Sequence, residues 1–114
     1  MSERVALLNS LVRLDAPVEN LAARLSAFGW DSDRELLIFT RDHAVSVLRR
    51  FLAKECPGAE VEAWANAIEG RDDIGYEPAV AKVLRELLFE LANPSLTRAL
   101  TSSSAQQWLL RLLG

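Results

Sequence analysis

Apolar residues return at helical spacing in one segment after another, and this periodicity constrains the fold more than any other feature. The longest stripe lies between Pro78 and Asn93 and consists of Val80, Val83, Leu84, Leu87, Leu88 and Leu91. Side chains three and four residues apart share one face of an α-helix, whereas a half-buried strand would alternate at every second position. This segment is therefore predicted to be an amphipathic helix packed on a core.

The same spacing occurs in five further segments: residues 4–14, 17–28, 40–54, 58–70 and 103–114. Proline or glycine separates several of them, and Gly29 and Gly70 stand where helices should end. Thr40 and Ser103 are positioned to cap the helices that follow them, Ser103 as a capping box with Gln106. Short connections favour antiparallel neighbours. The prediction is an all-α, single-domain bundle of five or six amphipathic helices with short connections.

Residues 30–39 lack this regularity. Asp31-Ser32-Asp33 is typical of a turn or a helix N-cap, and Leu36-Leu37-Ile38-Phe39 is too short for its period to distinguish strand from helix. We expect an irregular or one-turn segment that inserts apolar side chains into the core.

Length and composition limit the class of protein. The chain has 114 residues, half of them apolar and a quarter charged, which suits one globular domain. Its one cysteine, Cys56, excludes an internal disulfide and a multi-cysteine zinc site. We find no secretory leader and no apolar run of about 20 residues, so we expect a cytoplasmic protein without a membrane partner.

Charge is unevenly distributed along the chain. Residues 55–77 contain seven acidic residues and one basic residue, although the whole chain has a net charge of only −3. Such a block repels nucleic acid and anionic lipid and attracts a basic protein surface. We therefore expect another protein as the partner and no nucleic acid. The candidate binding residues are Glu69, Arg71, Asp72, Asp73, Tyr76, Glu77 and Trp30.

The same residues also allow other chemistries. Glu69, Asp72 and Asp73 could bind a divalent metal or a small ligand, but no known metal-loop pattern is present. The simpler interpretation is a charged loop in which Arg71 pairs with a neighbouring carboxylate. We predict neither a metal nor a cofactor.

Catalysis is not expected. His43 and Cys56 lie near opposite ends of one predicted helix, roughly 20 Å apart by helical rise, too far for a thiol–imidazole pair. Trp64 and Trp108 fall on apolar stripes and are expected in the core, whereas Trp30 follows a helix-ending glycine and is expected to be partly exposed. No nucleophile elbow or phosphate-binding loop occurs.

Three runs suggest a resemblance: Thr40-Arg41-Asp42-His43, the run from Trp64-Ala65-Asn66 to Asp72-Asp73-Ile74, and Leu91-Ala92-Asn93-Pro94. With them, the segment from Thr40 to Leu100, about half the chain, is similar to small all-helical bacterial proteins of mostly unassigned function. In size and charge the chain also resembles acidic toxin-immunity proteins. This resemblance implies a non-enzymatic protein that neutralises a partner through the acidic face of residues 55–77. A metal- or ligand-binding protein and a structural subunit remain alternatives, and the oligomeric state is open.

Overall fold

Six α-helices form within residues 2–114, the part of the chain that the computed structural model describes. They are α1 (Glu3–Arg13), α2 (Val18–Leu25), α3 (Arg41–Leu52), α4 (Gly58–Ile68), α5 (Ala81–Ala92) and α6 (Ser102–Leu113). Short 3-10 turns follow α2 and precede α5, at Ser26–Phe28 and Pro78–Val80. The predicted single helical domain is confirmed.

Two short strands add a feature that periodicity did not predict. Strand β1 (Leu37–Phe39) pairs in parallel with β2 (Ile74–Tyr76), with Leu37 opposite Ile74 and Phe39 opposite Tyr76. The expectation of an irregular or one-turn segment is thus wrong for the end of residues 30–39. The reason is that β1 acquires its hydrogen-bond partner only after the chain has crossed back through α3 and α4, and parallel pairing of this kind has no local signal.

The core is built around α4, which packs against α1, α2 and α5. Trp64 is completely buried, and its indole Nε1 donates to the Leu11 carbonyl over 2.8 Å. Phe39 is equally buried and meets Trp64 edge-on at a centroid distance of 5.6 Å. Trp108 is 3 % exposed. The prediction that Trp64 and Trp108 belong to the core is confirmed.

Reciprocal side-chain caps set the start of two helices, and Ser2 caps α1 through its hydroxyl alone. Thr40 caps α3 as predicted, and the reciprocal bond comes from His43, whose Nδ1 accepts the Thr40 N–H over 3.0 Å. The cap predicted at Ser103 is wrong, because α6 is capped by Thr101. Ser104 supplies the reciprocal bond there, and its hydroxyl also donates to the Ala99 carbonyl, which fixes the helix start two residues earlier. Within residues 2–114, no helix has the length and apolar content needed to cross a bilayer.

Candidate functional site

The seven carboxylates of residues 55–77 fall into two groups. Asp73, Glu60 and Glu77 accept hydrogen bonds from distant parts of the chain. The other four are Glu55, Glu62, Glu69 and Asp72. Their carboxylates form no salt bridge or hydrogen bond with any residue in the described range 2–114. Only the second group keeps its full charge available at the surface.

Asp73 is completely buried between two arginines. Arg71 donates from Nε to Oδ1 over 2.9 Å and from Nη2 to Oδ2 over 3.0 Å, and Arg4 donates from Nε to Oδ2 over 3.0 Å. Burial alone would raise the pKa of Asp73, but the hydrogen bonds and charges of Arg71 and Arg4 outweigh it and lower the pKa below its ordinary value of 3.8.

This arrangement confirms the predicted pairing of Arg71 with a neighbouring carboxylate and changes the interpretation of both residues. The side chains of Arg71 and Asp73 are 4 % and 0 % exposed. Both oxygens of Asp73 are engaged within the protein, so we interpret the pair as a support of the loop, and a role for either residue in binding a partner stays a prediction. The buried cluster joins α1 to the chain just before β2.

Glu77 also has an internal role. Its Oε1 accepts the backbone N–H of Arg41, the first residue of α3, over 2.9 Å. A carboxylate at this position satisfies one of the helix's unpaired N–H groups and interacts favourably with the helix dipole. Glu60 has a similar role at α2, where its Oε2 accepts the Val18 N–H over 3.2 Å. Neither carboxylate is directed wholly at solvent.

Glu69, Asp72 and Tyr76 do come together. They line a shallow depression of about 310 Å³ with Arg85 of α5. The Arg85 guanidinium carbon lies 4.7 Å from the centroid of the Tyr76 ring, within cation–π range. Burial raises the pKa of Tyr76, Arg85 opposes that rise and Glu69 adds to it, so the phenol is neutral at pH 7.

The acidic surface continues along the outer face of α4. Glu62 and Asn66 are four residues apart and both are exposed, and Glu69 follows at the helix C-cap, seven residues from Glu62. This spacing places the three side chains on one side of the helix. The acidic face is therefore smaller than the sequence implied, and its charge comes from Glu62, Glu69 and Asp72, whereas the unpaired Glu55 lines a separate depression with Arg50.

Trp30 stands beside this surface, with 49 % of the residue exposed, as predicted. Its ring covers the Arg71 guanidinium at 4.9 Å, and its carbonyl accepts the Asp72 N–H over 3.2 Å. These contacts tie Trp30 to the 70–73 loop. A half-exposed tryptophan held next to unpaired carboxylates is suited to contact a partner.

The residues considered for metal binding and for catalysis have other contacts in the structure. Within residues 2–114, no group of three or more His, Cys, Asp and Glu side chains is arranged to hold a metal ion. Both Asp73 oxygens accept from arginine, which leaves only Glu69 and Asp72 of the suggested trio. Cys56 is buried, which raises the pKa of its thiol, and the Nδ1 of His43 is engaged by the Thr40 N–H.

No family model, curated protein or solved structure matches this chain. The similarity to small helical bacterial proteins and to toxin-immunity proteins therefore stays a prediction. The functional argument depends on the site itself.

Two arginines of the site had no sequence signal. Arg4 lies 69 residues from Asp73 along the chain, and their contact depends on how α1 packs. Arg85 stands outside the apolar stripe of α5, where a charged residue is ordinary. In the structure, Arg85 is distinguished only by its position over the ring of the partly buried Tyr76.

Proposed function

We propose that this chain is a non-enzymatic, cytoplasmic binding module that engages a protein with a basic surface. The contact surface consists of Glu62, Glu69 and Asp72, with Tyr76 and Trp30 as apolar contacts. One observation carries the proposal: the protein binds three of its seven clustered carboxylates internally and leaves Glu69 and Asp72 unpaired beside two partly exposed aromatic rings, with the unpaired Glu62 farther along α4.

The two kinds of side chain would contribute differently. Exposed charges in water interact by only about 1 kcal/mol at 4 Å, so the carboxylates would mainly accelerate encounter and select for basic partners. Aromatic residues more often supply the binding energy once water is displaced. Trp30 has the larger ring and is held by Arg71, so less entropy is lost when it is covered.

The narrower form of the proposal is an immunity-type protein of a bacterium that neutralises a toxin by covering its basic surface. Its support is the size and net acidity of the chain together with the unpaired carboxylates. The narrower form predicts that a neighbouring gene encodes a toxic protein. Co-expression of that product with this chain should relieve its toxicity.

Charge reversal tests the wider proposal. In the test variant Glu62, Glu69 and Asp72 are replaced by lysine, and in the control variant Glu19, Asp33 and Asp42 are replaced by lysine. The control residues are exposed and lie outside residues 55–77. The two variants have the same net charge, and the control places it elsewhere, with two of its positions, Glu19 and Asp42, in the first turns of α2 and α3.

Each tagged protein is used to capture partners from an extract of the source cells, with quantitative mass spectrometry as the readout. We expect the wild type and the control to retain the same basic protein and the test variant to lose it. Retention by the test variant, or equal loss from both variants, would contradict a partner site on this face. Thermal unfolding of all three proteins verifies that the fold is intact.

A further inference from the structure

A separate cavity of about 350 Å³ lies between α2 and α4. Its lining is mostly apolar and includes Leu11, Val18, Leu25 and Ala67, and the larger polar side chains that line it are Trp30, Asn66 and Arg71. This volume is at the lower end of the range for small-molecule sites, which are concave, mostly apolar and supplied with a few polar groups.

Arg71 is the one charged residue that lines this cavity within residues 2–114. Its Nε and Nη2 donate to Asp73, and Nη2 also donates to the Gly29 carbonyl over 3.0 Å. Its third nitrogen, Nη1, has no hydrogen-bond acceptor among the described residues 2–114. Arg71 therefore keeps donors at Nη1 that are open to water or to a ligand.

Within the cavity itself the charge favours an anion, because the unpaired Glu69 and Asp72 line the neighbouring depression and not this one. Arg71 and Arg4 share the single carboxylate of Asp73, so the buried cluster has a net positive charge. No carboxylate lines the cavity. An arginine whose charge is incompletely balanced, next to apolar walls, complements a ligand with an anionic head and an apolar body.

We propose that this cavity binds a small apolar carboxylate, with the carboxylate at Nη1 of Arg71 and the hydrocarbon part against Leu11, Val18 and Leu25. Trp30 borders the site and covers one face of the same guanidinium. The cavity shares Trp30 with the proposed protein-binding surface, but none of the carboxylates of that surface lines it.

Three probes of one chain length test the charge preference: octanoate, its neutral counterpart octanamide, and octylammonium. Each is titrated into the full chain while the indole N–H signals are followed by NMR, with Trp30 assigned from a Trp30→Phe variant. We expect saturable binding that shifts the Trp30 signal, about tenfold tighter for octanoate than for octanamide and weakest for octylammonium. Equal affinity for octanoate and octanamide would overturn the proposal.

Ala67→Leu tests the location, because the larger side chain would fill space that the ligand needs. Ala59→Leu is the matched control, on the same helix but exposed and away from the cavity. We expect the first to weaken octanoate binding at least tenfold and the second to leave it unchanged. Unchanged binding in Ala67→Leu would overturn the proposed site.

If octanoate does not bind but Ala67→Leu abolishes capture of a partner protein, the cavity takes a side chain of that partner and the proposal fails.

Arg71→Gln is the last variant tested for octanoate binding, because it removes the charge of the site. Its thermal unfolding is also measured, because the substitution deprives Asp73 of a partner. The triple variant with lysine at positions 62, 69 and 72 should bind octanoate at least as tightly as the wild type. That result would separate this site from the partner surface.

Discussion

Asp72 and Asp73 are neighbours in the chain with the same chemistry, but the fold uses them in opposite ways. Asp72 is exposed with no partner for its carboxylate in residues 2–114, whereas Asp73 is completely buried between Arg4 and Arg71. The first can take part in binding another molecule, and the second holds α1 and the 70–73 loop together. A count of acidic residues treats them as equal, and only tertiary contacts separate them.

The backbone explains why the two side chains diverge. The Asp73 carbonyl accepts the N–H groups of Leu36 and Leu37, at 2.8 and 3.2 Å, just before the β1–β2 pairing begins. The Asp72 N–H instead donates to the carbonyl of Trp30. The chain is thus fixed at both residues, with Asp73 facing the interior and Asp72 facing water.

The largest expected effect comes from Asp73→Asn. Removing the charge leaves Arg71 buried without its counterion, and breaking a buried ion pair in this way costs about 3–5 kcal/mol. Asp72→Asn is the matched substitution one residue away and should change the free energy of unfolding by less than about 0.5 kcal/mol. Urea unfolding of both variants measures the difference, and equal effects would contradict the division between the two residues.

A pH series sharpens the same comparison. Because the pKa of Asp73 is lowered in the folded protein, its contribution to stability is present above the ordinary value of 3.8 and is lost as the pH falls through the lower folded value. The free energy of unfolding should therefore fall more steeply with acid below pH 3.8 in the wild type than in Asp73→Asn. Parallel curves for the two proteins would mean that Asp73 is not the titrating group.

These contacts also mark where prediction from the sequence stops. The stripe of α5, the Thr40 cap and the burial of Trp64 follow from local spacing, and the structure agrees. The β1–β2 pairing and the Arg4–Asp73 contact join residues more than 30 positions apart. Three-residue strands are too short to be recognised from the periodicity of their apolar residues, and a salt bridge between distant residues has no periodic pattern in the sequence.

Glu77 is intermediate between the two aspartates, because it is partly exposed and bound to a helix end. Glu77→Gln keeps the length of the side chain and an oxygen acceptor but loses the charge that interacts with the α3 dipole. Glu77→Ala loses both. We expect Glu77→Ala to lower the free energy of unfolding by about 1 kcal/mol and Glu77→Gln to lower it by less. If neither variant loses stability, the Glu77 carboxylate belongs with the unpaired group.

His43 adds a pH effect at the same helix end. Burial is the main reason that its pKa lies below the ordinary 6.5, with the charge of Arg13 acting in the same direction and Asp42 and Glu77 opposing. As the pH falls below 6.5, the unfolded chain takes up a proton that the folded ring resists, so stability should decrease between pH 7 and 5. His43→Gln keeps a capping partner and should remove this part of the pH dependence.

The smallest expected effect concerns Glu69 and Asp72, the unpaired carboxylates nearest Tyr76. Replacing both with their amides should change the free energy of unfolding by less than about 0.5 kcal/mol, because surface side chains without partners contribute little to folding. It could even stabilise the protein slightly, since like charges on one surface repel. Thermal unfolding at low and at high salt distinguishes these cases, because salt screens the repulsion and should bring the double variant and the wild type together. A clear loss of stability would mean that the fold uses these carboxylates after all, and they would then be poor candidates for a partner site.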